Sequence, residues 1–329
     1  MNTDHKIILV TRPTRLAELV LRFNTVSQAR FYIERQGADF DDYQLEDHNY
    51  HQALVDTQAE LGRFGRVQIV DRSFLPNFIF APADTVIALG QDGLVANTLK
   101  YLNEQPLVGV NPDPVRWDGK LLPFKVCDLG KVMPEVLSRQ RPIKTVTMAK
   151  ATLNNGQTLL AVNDIFVGPK SHVSARYTIR CGKARETHSS SGVVISTGMG
   201  STGWLTSLLT GASAVTLSAA SIGPGSGLPN DSAPNSSPKK QPKPRQMQAA
   251  FPWDANYLFF TVREPFPTKT TGATLVFGRV TKEAPLQLES QMAENGVIFS
   301  DGIEKDFLEF NSGTQAVVGL AERKGLLII

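Results

Sequence analysis

TVIALGQDGLVANTLKYL, residues 85–102, reads as one strand, one glycine turn and one helix. Val86, Ile87, Ala88 and Leu89 form a short apolar run that ends at Gly90, and Leu94, Thr98 and Leu102 recur at helical spacing after Gly93. A turn of this shape aims backbone N–H groups outward. Added to the positive end of the helix dipole, they make a resting place for phosphate. Asp92 lies inside the turn, where a carboxylate repels phosphate but can hold a magnesium ion or take a proton from an attacking hydroxyl. Capping an ordinary strand-to-helix corner is the other role open to it.

Upstream of this stretch, Lys6–Val10 is a first strand, and Pro13 suits a helix start. Leu16, Leu19, Val20, Phe23, Val26 and Ile33 mark one apolar helical face as far as Gln36, with Gly37 as its stop. A polar acidic passage, Asp39–His48, leads into a second helical stretch around Gln52–Leu61, and strands follow at Arg66–Val70, Thr85–Leu89 and Pro106–Val110. Strands alternating with helices predict a parallel sheet, because parallel neighbours need crossover connections. Ligands of such sheets collect at the carboxyl ends of strands, where Gly90–Gly93 and Asn111–Pro114 fall.

Beyond Arg141 the pattern changes. Lys144–Leu153, Thr158–Val167, Val173–Arg180, Gly192–Ser196, Tyr257–Arg263 and Ala273–Arg279 are short and rich in β-branched residues, so this half reads as mostly antiparallel β structure. One helix interrupts it, starting near Gly200. The domains are therefore expected at 1–142 (α/β) and 143–329 (mostly β), with a flexible Pro/Ser-rich insertion at 221–247 too poor in apolar residues to order itself.

The 329 residues suffice for two cores. A formal charge of +3 disfavours a nucleic-acid partner, and no segment has the length of a membrane span, so a small anionic ligand and a cytoplasmic location are expected. Cys127 and Cys181 are far apart and without metal-ligand spacing, so no protein-built metal site is expected.

A second glycine-rich stretch, Thr197–Trp204 (TGMGSTGW), follows an apolar strand and opens a helix. Gly198, Gly200 and Gly203 permit close backbone approach, Ser201 and Thr202 carry hydroxyl donors, and the helix start favours an anion. Between the two turns, Asn163 and Asp164 end the strand Leu159–Val162, and an adjacent amide and carboxylate can grip ribose hydroxyls or an adenine edge. Arg263-Glu264-Pro265, at a strand end, reads as a structural ion pair, with a donor-site arginine as the alternative that family likeness suggests.

The series Gly90-Gln-Asp92-Gly93, Gly109-Val-Asn111, Asn163-Asp164 and Thr197–Trp204 resembles the NAD kinase family, where GGDGT, GVN, NE and TPTGSTAY occur in this order. GVNPDPVRWDG, AVNDIFVG, FTVREPF and Ser300-Asp301-Gly302 are most similar to its mitochondrial-type branch. The resemblance implies a Rossmann-like α/β N-terminal domain and a β-sandwich C-terminal domain. It also implies ATP with Mg2+ as donor system, NAD as acceptor, and a homodimer or homotetramer. Position by position it implies Asp92 as the carboxylate that activates the ribose 2′-hydroxyl. Gly90, Gln91, Gly93 and Asn111 then form the donor turn and its neighbouring strand end. Asn163, Asp164, Thr197, Gly200, Ser201, Thr202, Gly203, Trp204 and Ser207 fall on the family's nucleotide-binding positions.

Two departures bear on donor use: Gln91 replaces the second glycine, so it must tolerate whatever backbone shape that glycine adopts, and Leu94 replaces a threonine hydroxyl. They leave two alternatives to an NAD kinase. One is a non-catalytic NAD or NADP sensor, and the other is a related kinase acting on a sugar or lipid hydroxyl.

Overall fold

The structure is a computed structural model and describes residues 5–222, 250–304 and 306–329. The chain divides into two compact units, residues 1–148 with 322–329 and residues 149–321. Most of the expected insertion at 221–247 lies outside the described residues.

The first unit holds strands β1 (Lys6–Thr11), β2 (Arg66–Asp71), β3 (Thr85–Leu89), β4 (Leu107–Asn111) and β5 (Phe124–Lys125). All pair in parallel, in the order β2-β1-β3-β4-β5. Ile7, Ile8, Leu9, Ile87, Ala88, Leu89 and Val108 are fully buried, the signature of strands covered on both faces. Helix α3 (Phe40–Leu61) and helix α5 (Leu129–Leu137) pack Tyr50, Leu61, Leu129, Val132 and Met133 on one face. Helix α4 (Asp92–Leu99) contacts β3 and β4 and buries every residue from Leu94 to Leu99.

The remaining helices of this unit differ from expectation. The single helix expected to Gln36 is two, α1 (Arg15–Phe23) and α2 (Val26–Arg35). Asn24 takes a left-handed φ of 67° and ends α1, and Thr25 then caps α2 by accepting from Gln28 N. The polar passage Asp39–His48 is not a connection. Asp39 caps α3, and the acidic residues Asp41 and Asp42 sit in its first turn, where the dipole favours them.

The second unit is built from β6 (Ile143–Leu153), β7 (Thr158–Ala161), β8 (Asp164–Pro169), β9 (Ala175–Cys181), β10 (Ala184–Ser190), β11 (Val193–Ser196), helix α6 (Trp204–Ile222), β12 (Leu258–Val262), β13 (Phe277–Val280), β14 (Leu286–Ser290), β15 (Gly296–Ser300), β16 (Phe307–Glu309) and β17 (Gln315–Ile328). β6 and β17 contribute residues to both units. One antiparallel set runs β10-β9-β14-β17, β6 pairs with β7, and a further sheet runs β13-β12-β11-β8-β15-β16. Alternate residues, among them Ala175, Tyr177 and Ile179 of β9 and Val193 and Ile195 of β11, meet in one core, as two facing antiparallel sheets require. The segment expected as β structure over Thr158–Val167 is interrupted at Val162 and Asn163. The Asp301 carboxylate accepts from the N–H groups of Val162 (3.1 Å), Asn163 (2.7 Å) and Asp164 (3.2 Å), which diverts the chain from the ladder there.

Candidate functional site

In the first unit β1 lies between β2 and β3, so the chain leaves the carboxyl ends of β1 and β3 toward opposite sides of the sheet. A crevice opens at such a switch point. Gly90–Gly93 occupies it. The Gly90 N–H donates to Val110 O (3.2 Å), and the Leu94 N–H donates to Gln91 O (2.8 Å), which starts α4. Gln91 is the N-cap with φ −113° and ψ 166°, extended backbone open to any residue. The glycine-to-glutamine departure therefore needs no glycine conformation. Leu94 is buried, with Cδ2 2.8 Å from where a Cβ on Gly90 would stand, so it fills the floor of the turn.

The Asp92 carboxylate does not point idly outward. Oδ1 accepts from the Leu121 N–H (2.8 Å) and Oδ2 from the Lys120 N–H (3.3 Å), which fixes its plane. Those amides are presented by the connection after β4, which Asn111 organises. Its Oδ1 accepts from Asp113 N (3.0 Å) and its Nδ2 donates to Trp117 O (2.9 Å). At Gly119 φ is +61°, and a Cβ there would lie 2.7 Å from Asn111 Nδ2. Gln91, Asp92, Gly93, Arg116, Trp117, Asp118 and Gly119 line a cavity of about 440 Å3.

A charged lattice that sequence reasoning missed braces this cavity. Arg116 pairs with Asp42 (2.6 Å), Asp42 also takes Arg15 (2.7 Å), and Arg15 bonds Glu46. Glu46 and Arg12 form a buried pair at 2.9 Å. Hydrogen bonds from Arg116 and Arg15 hold the Asp42 carboxyl down at about 2. The Tyr50 hydroxyl donates to Leu89 O (3.0 Å) and accepts from Arg12 N (3.1 Å), tying α3 to the ends of β1 and β3. A sequence signal existed for part of this, since Asp42, Glu46 and Tyr50 share one helical face, but Asp42 and Glu46 lay in the polar acidic passage placed ahead of the helix.

In the second unit the structure brings together Asn163, Asp164 and the stretch Thr197–Trp204. The Thr197 hydroxyl donates to Val162 O and accepts from Gly200 N (3.2 Å), and Thr197 N donates to Asn163 O (2.9 Å). Any Cβ on Gly200 would collide with the Asn163 backbone, so that position admits only glycine. Ser201 is buried, with its hydroxyl donating to Gly198 O (2.7 Å) and accepting from Phe251 N (3.3 Å). Thr197, Gly200 and Ser201 thus shape the turn. Thr202 and Gly203 are exposed, and so is Ser207, whose hydroxyl donates to Gly203 O (3.2 Å). Trp204 is half-buried and stacks on Phe166 with centroids 5.7 Å apart.

Asp164 opens β8 with Oδ1 buried and unpartnered. Burial, opposed by a hydrogen bond with Ser196 and reinforced by the Asp301 charge, pushes its carboxyl up to about 7. Among the described residues no three His, Cys, Asp or Glu side chains converge into a cation site, and no helix is long and apolar enough to cross a membrane.

Comparison with known proteins agrees with this architecture. No family model matches the chain. An NAD kinase of Chlorobaculum tepidum is 28% identical over 124 residues, which are 37% of this chain and 43% of that protein's length. The crystal structure of an NAD kinase from Archaeoglobus fulgidus in complex with ATP superposes with a TM-score of 0.54 at 13% identity, covering 98% of this chain and 93% of that one. At that identity the likeness establishes the fold, an α/β region followed by antiparallel sheets.

Proposed function

We propose that this chain is an NAD kinase of the mitochondrial-type branch, transferring a phosphoryl group from ATP to the 2′-hydroxyl of the adenosine ribose of NAD. The observation that carries the reading is Asp92, a carboxylate held by two backbone amides beside an open cavity at the start of α4. Its fixed orientation suits a group that takes the proton of an attacking hydroxyl. The hydroxyl oxygen then bonds to the γ-phosphorus as the bond to ADP breaks. The fold shared with an ATP-complexed relative and the local sequence match to another NAD kinase support the same reading.

Gly93 faces open space, so a phosphate can approach the N-terminal amides of α4 without meeting a side chain there. Magnesium, when bound, neutralises phosphate charge, and with no dedicated cage among the described residues it would draw on phosphate oxygens and Asp92. Asn163 and Asp164 are assigned to the ribose and base, and Thr202, Gly203, Trp204 and Ser207 to the nucleotide near the start of α6. Small-molecule nucleotides are the partners, in a homo-oligomer in the cytoplasm.

A coupled assay of NADP formation tests this with the full chain, Mg2+, NAD and either ATP or polyphosphate, beside Asp92→Asn. Turnover that the variant loses supports the kinase; no turnover with either donor removes it. The buried Leu94 in place of a donor-side hydroxyl favours one second reading, a dinucleotide sensor. Calorimetry separates the two, because a sensor binds NAD or NADP and not ATP.

A further inference from the structure

Arg263 stands just past the end of β12 with its main chain locked: its N–H donates to Gly192 O (2.8 Å) and its carbonyl accepts from Ser191 N (2.9 Å). The guanidinium lies 5.5 Å from the Trp204 ring centroid and 5.9 Å from that of Phe166, within cation–π range of both. Those rings are themselves stacked at 17°, and Phe299 packs on Phe166 with centroids 4.9 Å apart. The arginine is therefore placed by a sheet and held by an aromatic stack.

What it lacks is a counter-charge. Nε is buried without a hydrogen-bond partner, and among the described residues the side chain forms no ion pair, so the expected structural pair with Glu264 is not made. Glu264 instead turns away from the extended backbone with φ 46°. Asp164, two residues before Phe166 on β8, has its own Oδ1 buried and unpartnered and is not the missing partner. A guanidinium cannot shed its proton to escape this situation. Trp204 is moreover the first residue of α6, whose leading N–H groups carry partial positive charge. Two positive features thus converge beside residues already assigned to a nucleotide, and among the described residues no acid forms an ion pair with the guanidinium.

We propose that Arg263, clamped by Phe166 and Trp204 at the start of α6, binds the diphosphate of the dinucleotide. The inference rests on the reading above and extends it, since it assigns Arg263 to the acceptor rather than to the donor. The planar fork offers paired N–H donors that match oxygens on a phosphate, and the stack pre-pays the cost of ordering it.

Titration calorimetry of the full chain tests this with four probes: NAD, ATP, adenosine and inorganic pyrophosphate. The variants are Arg263→Met, which keeps the apolar stem, and Arg263→Lys, which keeps the charge and loses the fork. The expected result is NAD affinity lower by about ten-fold or more in Arg263→Met and by less in Arg263→Lys, with adenosine and ATP unchanged. Equal losses for NAD and adenosine would make Arg263 structural, and a loss confined to ATP would return it to the donor; either overturns the proposal. If the wild type does not bind NAD, the kinase reading fails by itself. Pyrophosphate binding that needs Arg263 would then still support the anion site, and its absence would overturn it. Should Arg263→Met not fold, Arg263→Lys decides on the same readouts.

Discussion

Gln91 and Asp92 sit side by side and answer to different constraints. Gln91 occupies extended backbone, so Gln91→Gly should cost no more than about 1 kcal/mol, mainly through a more flexible unfolded chain, as chemical denaturation would measure. Asp92 accepts from two amides with two different oxygens. Asp92→Asn keeps the shape but leaves one amide facing an NH2 group and, on the proposed function, removes the base. We expect NADP formation to fall by about 10²- to 10⁴-fold with the NAD KM little changed, read by steady-state kinetics. Loss of structure instead of loss of kcat would mark Asp92 as only a brace for the connection that carries Lys120 and Leu121.

The element that presents those amides is the connection between β4 and β5, and Asn111 is its organiser. Asn111→Ala removes two hydrogen bonds and frees Asp113 N and Trp117 O, a change expected to cost about 1–3 kcal/mol in unfolding free energy. The same variant should slow turnover, because Lys120 and Leu121 no longer hold Asp92 in register. The strand β3 and the start of α4 were legible from apolar run, glycine and helical spacing alone. The division of α1 from α2 was not, because one residue in left-handed conformation interrupts an otherwise continuous apolar face. The first turns of α3 were hidden for a related reason: Asp42 and Glu46 look like a solvated passage until Arg12, Arg15 and Arg116 arrive from elsewhere in the chain.

For the molecule as a whole, lowered and raised carboxyl groups set opposite pH limbs, with Glu186 joining Asp42 on the acid side. Burial works against the ionised form of Glu186, but hydrogen bonds from Leu275, Thr274 and His188 outweigh it and hold the group at about 2, against an ordinary 4.5. Its contribution is present above pH 4.5 and is lost as pH falls toward 2. Asp164 runs the other way. Raised from 3.8 to about 7, it binds more protons folded than unfolded, so stability falls as pH climbs through that window. Denaturant unfolding measured from pH 3 to 9 should show both limbs, and Asp164→Asn should flatten the upper one. The last eight residues belong to the first unit, where Leu327 and Ile328 are buried, Leu327 pairs with Leu107 of β4, and Ile329 N donates to Pro142 O (3.1 Å). Truncation after Ala321 should therefore lower the melting temperature of the first unit, followed by near-ultraviolet circular dichroism.

The sequence by itself determined the alternation of strand and helix in the first half, the β-rich second half and the two glycine turns, because periodicity and backbone permissiveness are local properties. It also placed Asn163 and Asp164 at a strand boundary. Only the tertiary structure decided that Asp301 creates that boundary, that Lys120 and Leu121 orient Asp92, that the C-terminal strand completes the first sheet, and that Arg263 lies against Trp204 without a counter-ion. Each of these depends on groups far apart in the chain meeting in space, and hydrogen bonding, burial and charge pairing act across that distance without leaving a mark on either residue alone.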